Sequence, residues 1–522
     1  MSAGLLACQQ WPHRKGMLLW GLGLCIAGAL QAAALAWPIG GQPVWWLQLL
    51  ALAILCMALQ QSHSAKQAAW RGGIFACAWL VATFWWLFIS MHTYGGLPAP
   101  FAVIAVVALA AFLGAYYALL MGLWRRWARP GWPAVLLFAA CWTLAELARG
   151  TLWTGFPWGA IGYAHVDGPL SVGPRWLGVY GTGALAAALS MTLVQAKTLV
   201  HTKKTTLAVI VAAVLFWLAA HHFQRQAQAL PGREPVSIAL LQGNIAQDEK
   251  FIPGGGVADA LHWYGARLLE APAALVVAPE TALPVLPQQL PEGYLDAVAH
   301  PYRTLQSQSA ALIGMPLGNA SQGYSNAVVG WIPGEMPEYR YDKHHLVPFG
   351  EFIPPMFQWF VRMMNIPLGD FNRGSVGQPP LIWHGERWAP NICYEDLFGE
   401  ELGARFADAS KAPSVFVNVS NIAWFGDSIA IDQHLQISRM RALEFELPML
   451  RATNTGATAV IDHRGEVTAW LPSLTQGVLL AEVQGRDSVT PFARWVSHWG
   501  LWPLWLFCIA IVAGCAKQRR KF

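Results

Sequence analysis

Residues 390–396 read PNICYED and place Cys393 where an apolar stretch that predicts a strand gives way to a predicted helix. Similar short apolar runs, such as residues 236–241 and 414–419, have the length and composition of strands that are buried on both faces. These runs alternate with helix-like segments, of which residues 428–447 form the longest. The alternation of strands and helices predicts a layered α/β domain.

Two further predicted strands end in a reactive side chain. Residues 276–281, VVAPET, present Glu280, and residues 341–351, YDKHHLVPFGE, present Lys343. Together with a cysteine they could form a nucleophilic site: the carboxylate accepts the thiol proton, the thiolate attacks a carbonyl carbon, and the ammonium holds the oxyanion. Each residue also has an ordinary explanation, because a lone cysteine is usually a small buried apolar residue and charged loop residues are usually solvated.

The composition divides the chain into two parts. Of its 522 residues, 55% are hydrophobic and 12% are charged, whereas soluble domains average about 25% charged residues. Two of the 29 acidic residues, Glu146 and Asp167, fall within residues 1–222. This distribution excludes a disordered chain and predicts a membrane part followed by a polar domain. Cys393 is the single cysteine of that polar domain, which excludes an internal disulfide there.

Apolar runs of about 20 residues are long enough to cross a bilayer as helices. We predict eight spans, at residues 17–36, 43–60, 73–91, 99–123, 132–148, 175–196, 205–220 and 496–516. The first is predicted to be a span and not a cleaved signal peptide, because it leads directly into further apolar runs. The expected domains are a bundle of seven spans, a catalytic domain, and a C-terminal transmembrane helix with a basic tail, at residues 1–222, 223–490 and 491–522.

Lysine and arginine residues predict the orientation of the spans. They cluster at the two ends of the chain and at alternate connections: Arg14, Lys15; Lys66, Arg71; Arg125, Arg126, Arg129; Lys197, Lys203, Lys204; and Lys517, Arg519, Arg520, Lys521. The connections at residues 37–42 and 92–98 carry neither residue type. The positive-inside rule then places both termini in the cytoplasm and residues 221–495 outside. Because the basic residues lie at span ends, the sequence pI near 8.7 does not indicate a nucleic-acid partner.

Two segments have two interpretations each. Residues 149–174 combine aromatic residues with glycine and proline, which fits either an interfacial aromatic belt or a re-entrant loop that shapes a lipid-accessible site. Residues 352–372 are apolar and interrupted by proline, which fits either an arm that dips into the membrane interface or ordinary core.

The three reactive segments, in this order, resemble the Glu-Lys-Cys triad of the nitrilase, or carbon–nitrogen hydrolase, superfamily. With the predicted spans on both sides, the whole chain resembles the apolipoprotein N-acyltransferase family. Further matching stretches are RGTLWTGFPW at 149–158, QGNI at 242–245, LVPFGEFIP at 346–354 and NVSNIAWFGD at 418–427.

The resemblance implies an αββα sandwich outside the cytoplasm on an eight-span bundle, and it assigns roles to residues. It implies that Glu280 is the general base, that Lys343 stabilises the oxyanion and that Cys393 is the nucleophile. The implied supporting residues are Glu351, Tyr394 and Glu395, and the candidates for substrate binding are Phe251, Trp424, Phe425 and Trp158. Phe251 stands where the family commonly has tryptophan after a lysine. We also expect Lys343 to lower the pKa of the Cys393 thiol.

The implied reaction is a ping-pong acyl transfer at the inner membrane of a bacterium. Cys393 takes the sn-1 acyl chain of a phospholipid, with phosphatidylethanolamine as the expected donor. The α-amine of an S-diacylglyceryl-cysteine at the N-terminus of an apolipoprotein then attacks the thioester. No metal and no cofactor are expected, and a monomer suffices because one domain carries the full triad.

Two alternatives remain open on the sequence. A membrane-anchored amidase or nitrilase acting on a small carbon–nitrogen substrate would use the same triad, although such a substrate needs neither the spans nor the 149–158 loop. The second alternative is a transporter or receptor whose outer domain only binds a ligand. Transporters usually carry functional charges within their spans, and here Glu146 is the one acidic residue near a predicted span, at its end.

Overall fold

We describe the protein from a computed structural model, which covers residues 5–199, 218, 233–252, 254–270, 272–353 and 371–519. The predicted span 205–220, apart from residue 218, lies outside these described residues. So does most of the predicted arm at 352–372.

The N-terminal part is a bundle of long helices: α1 Leu5–Leu35, α2 Trp45–Gln60, α3 Ala65–Phe84, α4 Ala99–Trp127, α5 Trp132–Thr151 and α6 Pro174–Val194. Small residues let these helices approach closely. An added Cβ at Gly28 of α1 would lie 2.7 Å from the backbone oxygen of Phe75 in α3. Aromatic rings fill the centre, where Trp79 stacks on Trp142 with ring centroids 5.8 Å apart. Close backbone approach and dense packing of this kind hold helices together in an apolar environment.

The described residues of the polar part form two six-stranded sheets. The first has strand order β12-β1-β2-β3-β4-β5 and the second β11-β10-β9-β8-β7-β6. The strands are β1 Val236–Gln242, β2 Leu275–Ala278, β3 Ala310–Asn319, β4 Gly323–Trp331, β5 Tyr339–Asp342, β6 Leu381–Trp383, β7 Glu386–Ile392, β8 Val415–Ser420, β9 Met449–Thr453, β10 Ala459–Ile461, β11 Val467–Trp470 and β12 Gly477–Val483. Strands β1, β2 and β3 are parallel, as are β7, β8 and β9.

The alternation of side chains along each strand builds the layers. In β1, Ile238 and Leu240 point into the core between the sheets, whereas Ala239 and Leu241 face the helical layer. On that outer side lie α7 Gly256–Glu270 and α8 Tyr294–Arg303; on the outer side of the second sheet lie α9 Ala430–Phe445 and α10 Pro491–Trp499. The order is helix, sheet, sheet, helix, so the predicted αββα sandwich is confirmed.

Within the part of the chain that the structure describes, four helical segments are long and apolar enough to cross a membrane: Leu18–Leu35, Ala99–Trp127, Trp132–Thr154 and Pro174–Val194. The predicted span 496–516 differs from the structure, because the chain bends by 88° between α10 and the last helix, α11 Trp502–Arg519. Helix α10 ends at Gly500, whose φ of 53° suits glycine. If the bent pair is one span, the described residues contain up to five candidates.

Helix α9 joins the two parts of the protein. Its Gln436 donates to the backbone oxygen of Gly41, and its Arg439 pairs with Asp167 in the loop before α6. Its Glu444 accepts the N–H of Val179 at 2.7 Å, directly after the kink at Gly178 in α6. The polar domain is thereby fixed against the bundle by buried polar contacts.

Candidate active site

The chain positions its reactive groups at the carboxyl ends of parallel strands. Glu280 follows β2 and Lys343 follows β5 in the first sheet, and Cys393 follows β7 in the second. Strands β2 and β5 run in the same direction, since β3 is parallel to β2 and the β3–β4 and β4–β5 pairs are antiparallel. Their ends therefore meet at one edge, which is where α/β proteins usually form their sites.

Lys343 lies buried between two carboxylates. Its Nζ is 3.2 Å from Oε1 of Glu280 and 2.9 Å from Oε1 of Glu351, and the residue is 1% exposed. The amide of Asn326 donates to the same two oxygens, at 2.7 and 2.8 Å. The second oxygen of Glu280 accepts the backbone N–H of Asn421 at 2.9 Å. Each charge is thus both paired and hydrogen-bonded, which is what makes burial of charge tolerable.

These contacts fix the charge states. Burial raises the pKa of Glu280, but the Lys343 ammonium and the Asn326 hydrogen bond outweigh it, so the pKa lies below its ordinary value. Burial lowers the pKa of Lys343, but Glu280 and Glu351 outweigh that effect and the pKa is raised. At neutral pH the site therefore holds a carboxylate and an ammonium, the forms that a general base and an oxyanion stabiliser require.

Cys393 stands on a sharp strand-to-helix turn. Its φ of 53° is in the left-handed region, uncommon for a residue with a side chain, and the residue is only half-buried. Asn418 donates to its backbone oxygen at 3.2 Å. Strain of this kind is kept where the surroundings hold the backbone, and here it presents the thiol at the strand end.

Glu395 ties the cysteine turn to the lysine loop. One carboxylate oxygen accepts the N–H groups of His344 and His345, at 2.6 and 3.2 Å. The other accepts the N–H of Ile392 and the hydroxyl of Tyr341, at 2.6 and 2.8 Å. The carboxylate therefore fixes the position of the cysteine turn relative to the lysine loop.

The expected effect of Lys343 on the thiol needs a correction. Lys343 does lower the pKa of Cys393, but burial and the negative charge of Glu280 act more strongly in the other direction, and the net pKa is well above its ordinary value. The resting residue is accordingly a thiol. A carboxylate that accepts its proton during the attack is then required by the chemistry.

The loop that follows α5 meets the site directly. The hydroxyl of Tyr394 donates to the backbone oxygen of Gly155 at 3.1 Å, and Nε2 of His345 lies 3.1 Å from the backbone oxygen of Thr154. The ring of Phe156 stacks on that of Tyr394. The residues that follow Cys393 and Lys343 in the chain thus bind the loop of the bundle.

The four aromatic candidates occupy different positions. Phe251 is 39% exposed, and Trp424 and Phe425 are half-buried beside the bundle, where their rings contact Tyr94 and Trp86. Trp158 is buried instead: its Nε1 donates to Gln433 at 2.8 Å and its ring stacks on His434. Trp158 therefore lies in the interface between the bundle and the polar domain.

The sequence did not single out three residues that the structure brings to the site. Asn326 lies in the middle of β4, where no motif marks it. Asn421 belongs to the NVSNIAWFGD stretch, and Lys250 directly precedes Phe251. Both therefore lie in or next to segments that the sequence already associated with the site. Nζ of Lys250 donates to the backbone oxygen of Glu280 at 3.2 Å. Within the described ranges, no group of His, Cys, Asp and Glu side chains is arranged to hold a metal ion.

Comparison with known proteins covers both parts of the chain. A family model described as the apolipoprotein N-acyltransferase N-terminal domain matches residues 27–192, and a carbon-nitrogen hydrolase model matches residues 237–491. The apolipoprotein N-acyltransferase of Verminephrobacter eiseniae is 58% identical over 517 residues, which cover 94% of each chain. This chain belongs to the apolipoprotein N-acyltransferase family.

A second curated relative agrees with this membership. The apolipoprotein N-acyltransferase of Ralstonia nicotianae is 47% identical over 454 residues, 86% of each chain. Among solved structures, a carbon-nitrogen hydrolase from Helicobacter pylori is 18% identical with a TM-score of 0.34, covering 52% of this chain and 94% of that one. The predicted family and enzyme class, an N-acyltransferase of lipoprotein maturation, are confirmed. Its relatives are bacterial and it has several apolar helices, as expected for an inner-membrane protein.

The two charges beside the thiol should affect its reactivity in opposite directions. Glu280→Gln should shift the pH profile of Cys393 alkylation by iodoacetamide to lower pH, because it removes a negative charge that raises the thiol pKa. Lys343→Met should shift the profile to higher pH, because it removes a positive charge that lowers it. Alkylation should be followed on the peptide that contains Cys393, since other cysteines are present.

Glu466→Gln, which changes an exposed carboxylate outside the site, is the matched control and should leave the profile in place. Shifts of the two site variants in the same direction would contradict the charge arrangement.

Proposed function

We propose that the enzyme transfers the sn-1 acyl chain of a phospholipid through a Cys393 thioester to the α-amine of the diacylglyceryl-cysteine of an apolipoprotein. The single observation that carries the proposal is the buried contact of Lys343 with Glu280, in a lysine segment that Glu395 joins to the Cys393 turn. A carboxylate, an ammonium and a thiol in one site are the groups that acyl transfer through a thioester needs.

In the first half-reaction, Glu280 accepts the proton of Cys393 as sulfur attacks the ester carbonyl. The C–S bond forms, the ester C–O bond breaks, and Glu280 returns the proton to the departing lysophospholipid oxygen. Lys343 stabilises the negative charge on the carbonyl oxygen during the attack. Glu351 keeps Lys343 protonated and in place, through its contact at 2.9 Å.

In the second half-reaction, the uncharged α-amine of the acceptor attacks the thioester. The C–N bond forms and the C–S bond breaks, and a proton passes from nitrogen by way of Glu280 to the sulfur. Water competes with the amine, so the thioester has to be protected. We propose that the bundle loop, which is bound to Tyr394 and His345, provides this protection.

The exposed aromatic residues suit a substrate that stays in the bilayer. Phe251 and Ile252, which directly follow Lys250, are 39% and 52% exposed, and the ring of Trp424 contacts that of Tyr94 in the bundle. We assign Phe251, Trp424 and Phe425 to contact with acyl chains. Phosphatidylethanolamine is the proposed donor, and the enzyme is proposed to act as a monomer, since one chain supplies all three reactive groups.

We further propose eight spans with the polar domain on the periplasmic side of the inner membrane. Basic residues of separate segments converge at one end of the bundle: Arg71 and Arg125 donate to the turn around Ser62, and Arg129 donates to Gln518. The polar domain contacts the opposite end, through Gly41, Asp167 and Val179. The positive-inside rule then supports cytoplasmic termini and a periplasmic catalytic domain.

The thioester is the decisive intermediate. Purified enzyme incubated with phosphatidylethanolamine and no acceptor should gain the mass of one fatty acyl chain in intact-protein mass spectrometry. Neutral hydroxylamine should remove the increment, because it cleaves thioesters. Cys393→Ala should show no increment, and both Cys393→Ala and Cys393→Ser should lose acyl transfer by at least about 1,000-fold.

Membrane insertion and thermal unfolding of both variants in detergent should match the wild type, since the half-buried thiol contributes little packing. A hydroxylamine-sensitive increment in Cys393→Ala, or wild-type turnover in either variant, would contradict the assignment. A wild-type enzyme that hydrolyses small amides and never acquires an acyl chain would favour the membrane-anchored amidase instead.

The proposed topology predicts accessibility from the outside. Lys411→Cys, at an exposed position of the polar domain, should react with a membrane-impermeant maleimide in intact spheroplasts. Arg126→Cys, at an exposed position at the opposite end of the bundle, should react only after lysis. Equal labelling of both in intact spheroplasts would contradict the periplasmic placement.

A further inference from the structure

Lys250 is a second buried lysine of the site that the proposed steps do not use. It lies in the turn that follows β1 and is 0% exposed. Among the described residues, the backbone oxygen of Glu280 is the one acceptor that its Nζ reaches, at 3.2 Å. A lysine ammonium carries three N–H donors, so this environment serves the charged form poorly.

The charges around Lys250 come from three segments. It interacts with Glu280 after β2 and with the thiol of Cys393 after β7, while Asp248 and Glu249 of its own turn are exposed to solvent. Burial lowers the pKa of Lys250 to about 7, although Glu280 and Cys393 pull it upward. Both charge states of this amine are therefore accessible near neutral pH.

The two half-reactions differ in their proton balance. In the first half-reaction, the thiol proton ends on the lysophospholipid oxygen, and no proton is released to solvent. In the second, an α-amine with an ordinary pKa of about 7.7–8.0 arrives largely as an ammonium. Two protons leave its nitrogen, one returns to the sulfur, and one has to leave the site. Glu280 has room for a single proton at a time.

We propose that Lys250 is a positioning residue that acts through Glu280 and takes up the first of the two protons that the acceptor ammonium loses. This inference rests on the proposed function. The first proton of the ammonium passes to the Glu280 carboxylate and on to the neutral Lys250 amine, which restores the carboxylate. Glu280 then takes the remaining proton as the C–N bond forms and gives it to the sulfur as the C–S bond breaks. Lys250 returns its proton to solvent when the product leaves.

The test separates the two half-reactions of the full-length enzyme in detergent. Thioester formation is timed by intact mass with phosphatidylethanolamine, and its discharge is timed with a synthetic diacylglyceryl lipopeptide. Lys250→Met should lower the ratio of the discharge rate to the formation rate by about 100-fold, the usual size of a proton-transfer contribution. Lys411→Met, at an exposed lysine, is the matched control and should keep the wild-type ratio.

Lys250→Arg distinguishes proton uptake from a purely structural role. Arginine keeps a donor for the backbone oxygen of Glu280 but stays protonated, so the ratio should fall as in Lys250→Met. Protonation of the acceptor amine slows discharge at low pH in every form of the enzyme. In the wild type the discharge rate should fall further as the pH drops through 7, because Lys250 becomes protonated there. Both variants should show only the fall caused by the acceptor amine.

Rescue of the ratio by arginine, or equal slowing of both half-reactions in Lys250→Met, would overturn the inference and leave the proposed function intact. A wild-type enzyme that forms no thioester would instead overturn the proposed function itself. If Lys250→Met does not fold, as judged by its thermal unfolding, Lys250→Arg and the wild-type pH profile still decide the question.

Discussion

The ammonium of Lys343, buried between the carboxylates of Glu280 and Glu351, is the interaction on which the rest of the site depends. A lysine that is 1% exposed is tolerable only with close counter-charges, and removing one partner of a buried pair usually costs about 3–5 kcal/mol. Glu351 follows Lys343 by eight residues, whereas Glu280 precedes it by 63. Glu280 meets Lys343 because β2 and β5 run in the same direction and end at one edge of the sheet.

A second constraint is the attachment of this edge to the membrane bundle. Tyr394 follows Cys393 directly, and His345 is two residues after Lys343. Both side chains contact the backbone of the loop after α5. Glu395 joins the two reactive segments to each other through four hydrogen bonds. The same loop therefore connects the segments that carry Cys393 and Lys343 to the membrane bundle. This arrangement gives a physical reason for a hydrolase-type sandwich to be built on membrane helices: its thioester must meet an amine before it meets water.

Much of the fold could be predicted because it depends on local patterns. The near absence of acidic residues before residue 222 marked the bundle, and the short apolar runs marked the buried strands. The break at Gly500 could not be predicted, because it depends on the packing of Phe492 and Val496 into the polar domain. The three reactive residues each follow a strand, so their motifs were visible. Asn326 and the raised thiol pKa were not, since both arise from groups that only the folded sheets bring together.

One thiol is proposed to pass the acyl chain from lipid to amine, and a chase experiment tests this transfer. The acyl-enzyme is formed with phosphatidylethanolamine carrying a labelled sn-1 chain, freed of phospholipid, and mixed with a synthetic diacylglyceryl lipopeptide. We predict that label leaves Cys393 and appears in amide linkage on the lipopeptide α-amine in a 1:1 ratio, while an N-acetylated lipopeptide leaves the enzyme labelled. Release of the label as free fatty acid at the same rate with either lipopeptide would contradict it.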